Sequence, residues 1–266
     1  MLIDDSTSND VLFDPTKGRG LVPRDYSTHP VGYLSSAPPM NLPLIPRSEW
    51  RDRIKDKKRL GTNLSTIRRT SGPNGGVIPS LDQHQWGYCW AHSTTMGHML
   101  LRALMGEAYK KLSAFMVASI IKGGRNEGGW GALSLDFIEK NGQPTIDLWP
   151  ENDASLKHDT PAMRADAAKH KVTGDWADLN AAVYDRDLTF DQVATLLLSN
   201  VPVVGDFNWW GHSVILMDLE EVESGSFGVR GLNSWSDAWG DVGEFVLSGS
   251  KAIPDGAVAP LAAMAV

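Results

Sequence analysis

The stretch that decides the fold is Gln83-His84-Gln85-Trp86-Gly87-Tyr88-Cys89-Trp90-Ala91. Cys89 is the only cysteine among the 266 residues. The residues after it carry apolar side chains at helical spacing, namely Trp90, Met96, Met99, Leu100, Ala103 and Leu104. Because a helix N-terminus carries partial positive charge and stabilises a thiolate, this position favours a reactive thiol. An inert core cysteine is the common alternative.

Two later segments supply the groups that a thiolate nucleophile needs. His212 begins the strand-like run Gly211-His212-Ser213-Val214-Ile215, and Asn233 follows a further strand. A nucleophilic thiolate needs a base within hydrogen-bonding reach, and the base needs a third group that fixes its tautomer. The amide of Asn233 can accept the imidazole N–H. A satisfied core histidine and a turn asparagine are the ordinary alternatives.

Gln83 lies six residues before the cysteine. Its side-chain N–H₂ group can join the Cys89 backbone N–H in stabilising a tetrahedral oxyanion. Taken alone, a glutamine at this position is also typical of a solvated surface. The joint order and spacing of Gln83, Cys89, His212 and Asn233 indicate acyl-transfer chemistry.

Three segments resemble one enzyme family. Gln83–Ala91 resembles the nucleophile segment of papain-family cysteine peptidases, and Gly211–Val214 resembles their histidine strand. The segment 233–243, Asn-Ser-Trp-Ser-Asp-Ala-Trp-Gly-Asp-Val-Gly, is similar to their asparagine and tryptophan segment. The resemblance covers about residues 45–250.

The resemblance implies a role for each of these residues. Cys89 would be the nucleophile, His212 the base and Asn233 its orienter, while Gln83 would contribute to the oxyanion hole. Trp235 would shield the histidine–asparagine hydrogen bond from water. The histidine and the asparagine lie 123 and 144 residues after the cysteine (89 to 212 and 89 to 233), near the roughly 130–150 residues of the family.

The family's substrate contact on the helical side has a counterpart in Gly128-Gly129, whose backbone is expected to pair with an extended peptide or protein substrate. A plain glycine turn is the alternative. The stretch between Val203 and His212 is much shorter than the family norm, so the resemblance does not predict substrate selection on that side.

The resemblance implies a papain-like α+β fold, with a helical left lobe, a β-rich right lobe and a cleft between them. The hydrophobic patterns agree with this order, because helices come first and strands second. Helices are predicted at about 90–105, 112–121, 132–140, 161–170 and 190–198, and strands at about 202–207, 213–217, 226–232 and 243–247.

The chain is predicted to have three parts. Residues 1–43 form an extended, proline-rich N-terminal arm. Residues 44–250 form the peptidase-like domain, with the helical lobe at about 81–180 and the β-rich lobe at about 181–250. The tail at 251–266 is small and apolar without a clear period, and no structure is assigned to it.

Composition excludes several other classes. The net charge of −7 and the pI of about 5.5 argue against nucleic acid and anionic membranes as partners. The basic run Arg51–Arg69 is local and is interpreted as a solvated surface. No window reaches the roughly 18 consecutive apolar residues of a membrane span. Paired cysteines are absent, and His84, His92 and His98 do not share a helix face, so no metal and no cofactor is expected.

The expected setting is a reducing one. The first residues lack a positively charged segment followed by an apolar one, so a classical secretory signal is not expected. A single cysteine also provides no intramolecular disulfide. We therefore expect a cytoplasmic or virion-associated protein.

Other hypotheses stay open. The chain could serve mainly as a structural or assembly component of a viral or phage particle, with the arm binding neighbouring subunits, because 43 extended residues span on the order of 140 Å. The arm could instead lie in the cleft as a substrate mimic, although no motif at 22–46 indicates this. A transglutaminase or deamidase shares the Cys–His pairing but fits the segment at 233–235 less well.

Overall fold

The computed structural model describes residues 1–12, 14–172 and 176–261. It confirms the predicted α+β fold class with a helical lobe and a β-rich lobe. The α-helices are α1 (Arg47–Leu60), α2 (Leu64–Thr70), α3 (Cys89–Leu104), α4 (Ala114–Lys122), α5 (Gly131–Asn141), α6 (Pro161–Ala167) and α7 (Arg186–Leu198).

Helix α3 is the centre of the helical lobe. Every residue from Cys89 to Arg102 is buried, so this helix packs on all sides rather than along one stripe. Helix α4 lies against it and begins where Ser113 accepts a hydrogen bond from the Met116 N–H. It ends at Gly123, whose left-handed backbone closes the last turn.

Within the described part of the chain, one sheet of seven strands forms the β-rich lobe. The strands are β1 (Leu2–Ile3), β2 (Trp176–Asp178), β3 (Val203–Phe207), β4 (His212–Glu223), β5 (Ser226–Leu232), β6 (Glu244–Leu247) and β7 (Gly256–Pro260). Their spatial order is β1-β6-β5-β4-β3-β7-β2. Only the β1–β6 pair is parallel among these strands.

The C-terminal tail departs from the sequence prediction. No structure was assigned to residues 251–266, yet β7 lies inside the sheet between β3 and β2. All five of its residues are buried. A strand covered on both faces shows no alternation of apolar and polar residues, which is why the pattern gave no signal. Residues 262–266 lie outside the described residues.

The basic run forms α1 and α2, and most charged side chains of α1 are exposed to solvent. Helix α1 buries only two side chains, Trp50 and Ile54. Two apolar residues four positions apart are enough to seat a charged helix, although they are too few to produce a clear periodic signal.

The seam between the lobes is stitched by backbone hydrogen bonds. Asp82 pairs with Trp235 as an isolated antiparallel bridge. The Gln83 N–H donates to the Ser234 carbonyl at 3.0 Å, and the Ser236 N–H donates to the Leu81 carbonyl at 3.1 Å. The segment before Cys89 is thereby fixed directly to the segment after Asn233.

A buried ion cluster holds α2 to the sheet. Glu244, at the start of β6, is fully buried and accepts hydrogen bonds from three arginines. The donor distances are 2.7 Å from Arg68, 2.9 Å from Arg69 and 3.1 Å from Arg230. Arg68 is itself fully buried. Its charge is therefore balanced by its carboxylate partners, Glu244 and Asp237.

Replacing Glu244 with alanine should therefore lower the free energy of unfolding by about 3–5 kcal/mol, because the buried Arg68 guanidinium loses its buried carboxylate and keeps only the more exposed Asp237. Urea denaturation followed by circular dichroism measures this change. The matched control is Glu49→Ala, which removes an exposed pair with Arg53 on α1 and should cost about 0.5 kcal/mol or less. Equal losses in the two variants would contradict a special role for the buried cluster.

Candidate active site

Cys89 is the first residue of α3 and lies at the seam between the lobes. Its side chain is fully buried. The Ser213 backbone N–H, one residue after His212, interacts with the Cys89 sulfur. One helical turn further along α3, the Ser93 hydroxyl lies 2.9 Å from the Ser213 hydroxyl. The helix terminus therefore docks beside the first residues of β4.

His212 is the first residue of β4 and forms the predicted contact with Asn233. Its Nε2 lies 2.7 Å from Asn233 Oδ1. That oxygen also accepts the Ser234 N–H at 2.8 Å, and the Asn233 N–H donates to the Gly243 carbonyl at 2.9 Å. Two backbone contacts thus fix the amide, and the amide fixes one side of the imidazole.

Aromatic rings enclose this pair. The Trp235 ring centroid lies 4.8 Å from that of His212, and the Trp210 centroid lies 5.0 Å from it. His212, Asn233 and Trp235 are all almost completely removed from solvent. The indole of Trp235 is therefore placed where the sequence predicted a shield for the histidine–asparagine hydrogen bond.

Cys89 and His212 are both neutral in this state. Burial raises the pKa of Cys89 to about 12 and lowers the pKa of His212 to about 3. His212 Nδ1, on the side of the ring away from Asn233, is buried and has no hydrogen-bond partner among the described residues. A thiolate–imidazolium ion pair between Cys89 and His212 is therefore not formed while the site is closed to water.

Gln83 lies at the seam with both ends of its amide occupied. Its Oε1 accepts a hydrogen bond from the Ser234 hydroxyl. Its Nε2 donates to the Trp86 carbonyl at 2.8 Å and to the Gly18 carbonyl at 2.9 Å. The amide expected in the oxyanion hole thus points its N–H₂ group at a carbonyl oxygen of the N-terminal arm.

The arm crosses the cleft at residues 17–22, which we call the crossing segment. On the helical side, the Val22 N–H donates to the Gly129 carbonyl at 2.9 Å, and the Gly129 N–H donates to the Gly20 carbonyl at 2.9 Å. On the β-rich side, the Leu21 N–H donates to the Gly211 carbonyl at 3.2 Å. The crossing segment therefore bonds to both walls at once.

Side-chain contacts of the crossing segment reach the predicted catalytic residues. The Trp235 indole N–H donates to the Gly18 carbonyl at 3.0 Å, so this oxygen is held by two of the predicted site residues. Arg19 donates to the Trp210 carbonyl at 3.0 Å, and its charge contributes to the lowered pKa of His212. Lys17 forms an ion pair with Asp82 at 2.8 Å.

Gly128 and Gly129 contact the crossing segment in this state. A Cβ at Gly128 would overlap the Gly20 carbonyl, and one at Gly129 would press on the Trp90 ring. Both positions therefore need glycine for close backbone approach. An extended chain does pair with Gly129, and that chain is the protein's own arm.

Two features of the site were missed from the sequence. The crossing segment left only the spacing Gly18-Arg19-Gly20 as a signal, which is too short to read alone. Ser234, whose hydroxyl fixes Gln83, has no sequence signal beyond its place next to Asn233. No group of three or more candidate metal ligands occurs within residues 1–12, 14–172 and 176–261. In those same ranges, no helix has the length and apolar character to cross a membrane.

Several solved structures with the same fold are proteases. Xylellain, a cysteine protease from Xylella fastidiosa, is 15% identical with a TM-score of 0.60, covering 92% of this chain and 96% of its own. Procathepsin L2 from the larval midgut of Tenebrio molitor is 16% identical with a TM-score of 0.61, covering 92% and 78%. Bromelain from Ananas comosus, in complex with the E64 inhibitor, is 15% identical with a TM-score of 0.55, covering 74% and 96%.

No protein-family model and no curated protein matches the chain. Sequence identities near 15% show a shared fold and do not by themselves show a shared chemistry. The chain therefore has the papain-like fold, with a helical lobe and a β-rich lobe meeting at the seam that holds Cys89 and His212.

Proposed function

We propose that the protein is a papain-like thiol peptidase that this structure captures in a latent state. The observation that carries the proposal is the 2.7 Å contact between His212 and Asn233 at the mouth of β4, beside the Cys89 thiol at the start of α3. A thiol, an imidazole and a carboxamide that orients the imidazole are the parts of a cysteine hydrolase.

Acylation begins once water enters the cleft. His212 takes the Cys89 proton, and the partial positive charge of the α3 N-terminus supports the thiolate. The sulfur attacks the carbonyl carbon of a peptide bond and forms a C–S bond. The oxyanion accepts hydrogen bonds from Gln83 Nε2 and from the Cys89 backbone N–H. His212 then protonates the leaving amine as the C–N bond breaks.

Deacylation returns the enzyme to its starting state. His212 removes a proton from water, and the hydroxide attacks the thioester carbonyl. The C–S bond breaks, the carboxylic acid leaves, and the Cys89 sulfur recovers a proton from His212. Asn233 holds the imidazole in one orientation through both steps.

The crossing segment accounts for latency in this proposal. A substrate carbonyl and the Gly18 carbonyl compete for the same Gln83 N–H₂ group, so both cannot bind at once. An extended substrate would also need the Gly129 groups that bond to Gly20 and Val22. Displacement of the crossing segment is therefore required before peptide binds.

A thiol-labelling experiment tests the proposal. At pH 6 an unperturbed thiol is almost wholly protonated, so rapid alkylation reports a thiolate that the protein stabilises. We expect iodoacetamide to label Cys89 at least about tenfold faster in the unmodified chain than in His212→Ala, because the imidazole stabilises the thiolate in the open fraction. Intact-mass spectrometry gives the rates.

The matched control is His92→Gln. His92 is also buried, but its ring packs on Phe115 and it contacts the Tyr88 carbonyl instead of Asn233. It should label at the unmodified rate if it folds, as judged by circular dichroism. Equal labelling of the unmodified chain and His212→Ala would count against a Cys–His pair.

The assembly hypothesis stays a prediction. It assigns the arm to neighbouring subunits of a viral or phage particle, whereas the arm contacts described above lie within one chain. Ile3 and Leu12 are buried in the β-rich lobe, and residues 17–22 bond to the cleft. These contacts favour the latent peptidase over a free arm.

A further inference from the structure

Asp206 is a carboxylate close to the nucleophile that the proposed mechanism does not use. It lies on β3, paired with Ser213 on β4 and with Gly256 on β7. Its charge contributes to the raised pKa of Cys89. The residue as a whole is only partly buried, so it lies at the edge of the protein interior.

Only one of its two oxygens is satisfied by the backbone. Oδ2 accepts the Gly131 N–H, at the start of α5, at 3.2 Å. Oδ1 is shielded from solvent and has no hydrogen-bond partner of good geometry among the described residues. Burial raises the pKa of the Asp206 carboxyl to about 6, and the nearby Ser213 side chain opposes this rise only in part. Arg24 is near enough to influence the carboxylate, but its guanidinium is spent on both oxygens of Asp178, at 2.9 and 2.8 Å.

The arm fills the space beside this carboxylate. The Tyr26 hydroxyl donates to the Asp255 carbonyl at 3.2 Å and lies where a Cβ of Gly256 would be. Two further neighbours of the carboxylate, Gly131 and Ser213, are small. Displacement of the arm would therefore leave a pocket whose wall contains the Asp206 carboxylate. Gly131, which borders this pocket, lies two residues after Gly129 in the chain.

We propose that Asp206 is a specificity-determining residue that selects substrates with a lysine or arginine side chain. The basic residue of the substrate is the one whose backbone pairs with Gly129, or its immediate neighbour. A basic side chain supplies the donor that Oδ1 lacks and balances a charge that has no cation bonded to it. The inference rests on the proposed peptidase function and names its substrate class.

The test compares Asp206→Asn with the unsubstituted Asp206, each in a Gly20→Val chain, a change expected to displace the crossing segment together with Tyr26, which follows it in the arm. Fluorogenic peptides carry arginine or leucine at each position upstream of the cleaved bond in turn. At one position, kcat/KM should favour arginine, and Asp206→Asn should reduce the arginine-to-leucine ratio by about 10- to 100-fold. Asparagine keeps an acceptor for the Gly131 N–H, so the leucine rates should change little.

A neighbouring carboxylate provides the control. Asp255→Asn, whose Oδ2 accepts the Asn208 N–H at 2.7 Å, should retain the preference. An equal loss for arginine and leucine peptides in Asp206→Asn, or no basic preference at any position before the change, overturns the proposal.

A second measurement does not depend on hydrolysis. Arginine- and leucine-containing peptide amides are compared for their ability to protect Cys89 from iodoacetamide. Stronger protection by the arginine peptide that disappears in Asp206→Asn supports the pocket, even if no peptide is cleaved and the peptidase proposal therefore fails. Equal protection by both peptides counts against the pocket.

Discussion

Replacing Gly20 with valine is expected to raise peptide hydrolysis by about two orders of magnitude. A Cβ on Gly20 would overlap the backbone carbonyl and Cα of Gly87, and the φ of +149° at Gly20 is one that side chains rarely adopt. A penalty of about 3 kcal/mol on the closed state raises the open fraction about 100-fold. The measurement is kcat/KM on a fluorogenic peptide.

The gain has two physical sources. In the open state the crossing segment no longer occupies the hydrogen-bonding groups of Gln83 and Gly129, so substrate can bind them. Water also returns to Cys89 and His212. Since burial is what raises the thiol pKa and lowers the imidazole pKa, rehydration moves both values toward a thiolate–imidazolium pair at neutral pH. Alkylation of Cys89 should therefore accelerate together with peptide hydrolysis.

The control is a valine elsewhere in the arm. Thr28→Val changes an exposed residue of nearly the same shape outside the crossing segment and should leave kcat/KM at its starting value. A folded Gly20→Val chain with unchanged hydrolysis and unchanged labelling would show that the crossing segment does not limit access. Faster labelling without hydrolysis would support the crossing segment as a barrier to the site and would contradict the proposed peptidase activity. Deleting the whole arm is a poorer experiment, because β1 and the buried Ile3 belong to the sheet.

The sequence predicted those parts of the site that depend on local pattern. Cys89 stands at the start of an apolar helix, His212 at the start of a strand and Asn233 after the next one, and each boundary is visible in the chain. The helix predicted from Trp90 to about Met105 begins and ends one residue earlier in the structure. The resemblance to papain-family segments then supplied the three-dimensional meeting point, which spacing alone cannot give.

The crossing segment escaped prediction for a physical reason. Its hydrogen bonds join backbone groups of Gly20, Leu21 and Val22 to Gly129 and Gly211, and any sequence carries such groups. The sequence indicates such a segment only where close backbone approach requires glycine, as at Gly20. Strand β7 was missed for a related reason, since burial on both faces removes alternation.

The charge state of the site also lies beyond sequence reasoning. A helix N-terminus beside a thiol predicts an activated thiolate, yet Cys89 is protonated here. Desolvation outweighs the field of the helix terminus because the crossing segment and the Trp235 ring exclude water. The same four side chains are thus compatible with a latent and an active state, and the difference between them is solvent access.

Replacing Cys89 with alanine in the Gly20→Val chain should lower peptide hydrolysis by at least about 10⁴-fold, because covalent catalysis is lost and the remaining groups cannot replace it. Steady-state kinetics on the same fluorogenic peptide measures the loss. The matched control is Ser93→Ala, which removes one buried polar atom from the same helix face against Ser213 and should cost less than about tenfold. If the Cys89→Ala variant kept a few per cent of the activity, the reaction would have to use another nucleophile. The active site would then not lie at the seam between α3 and β4.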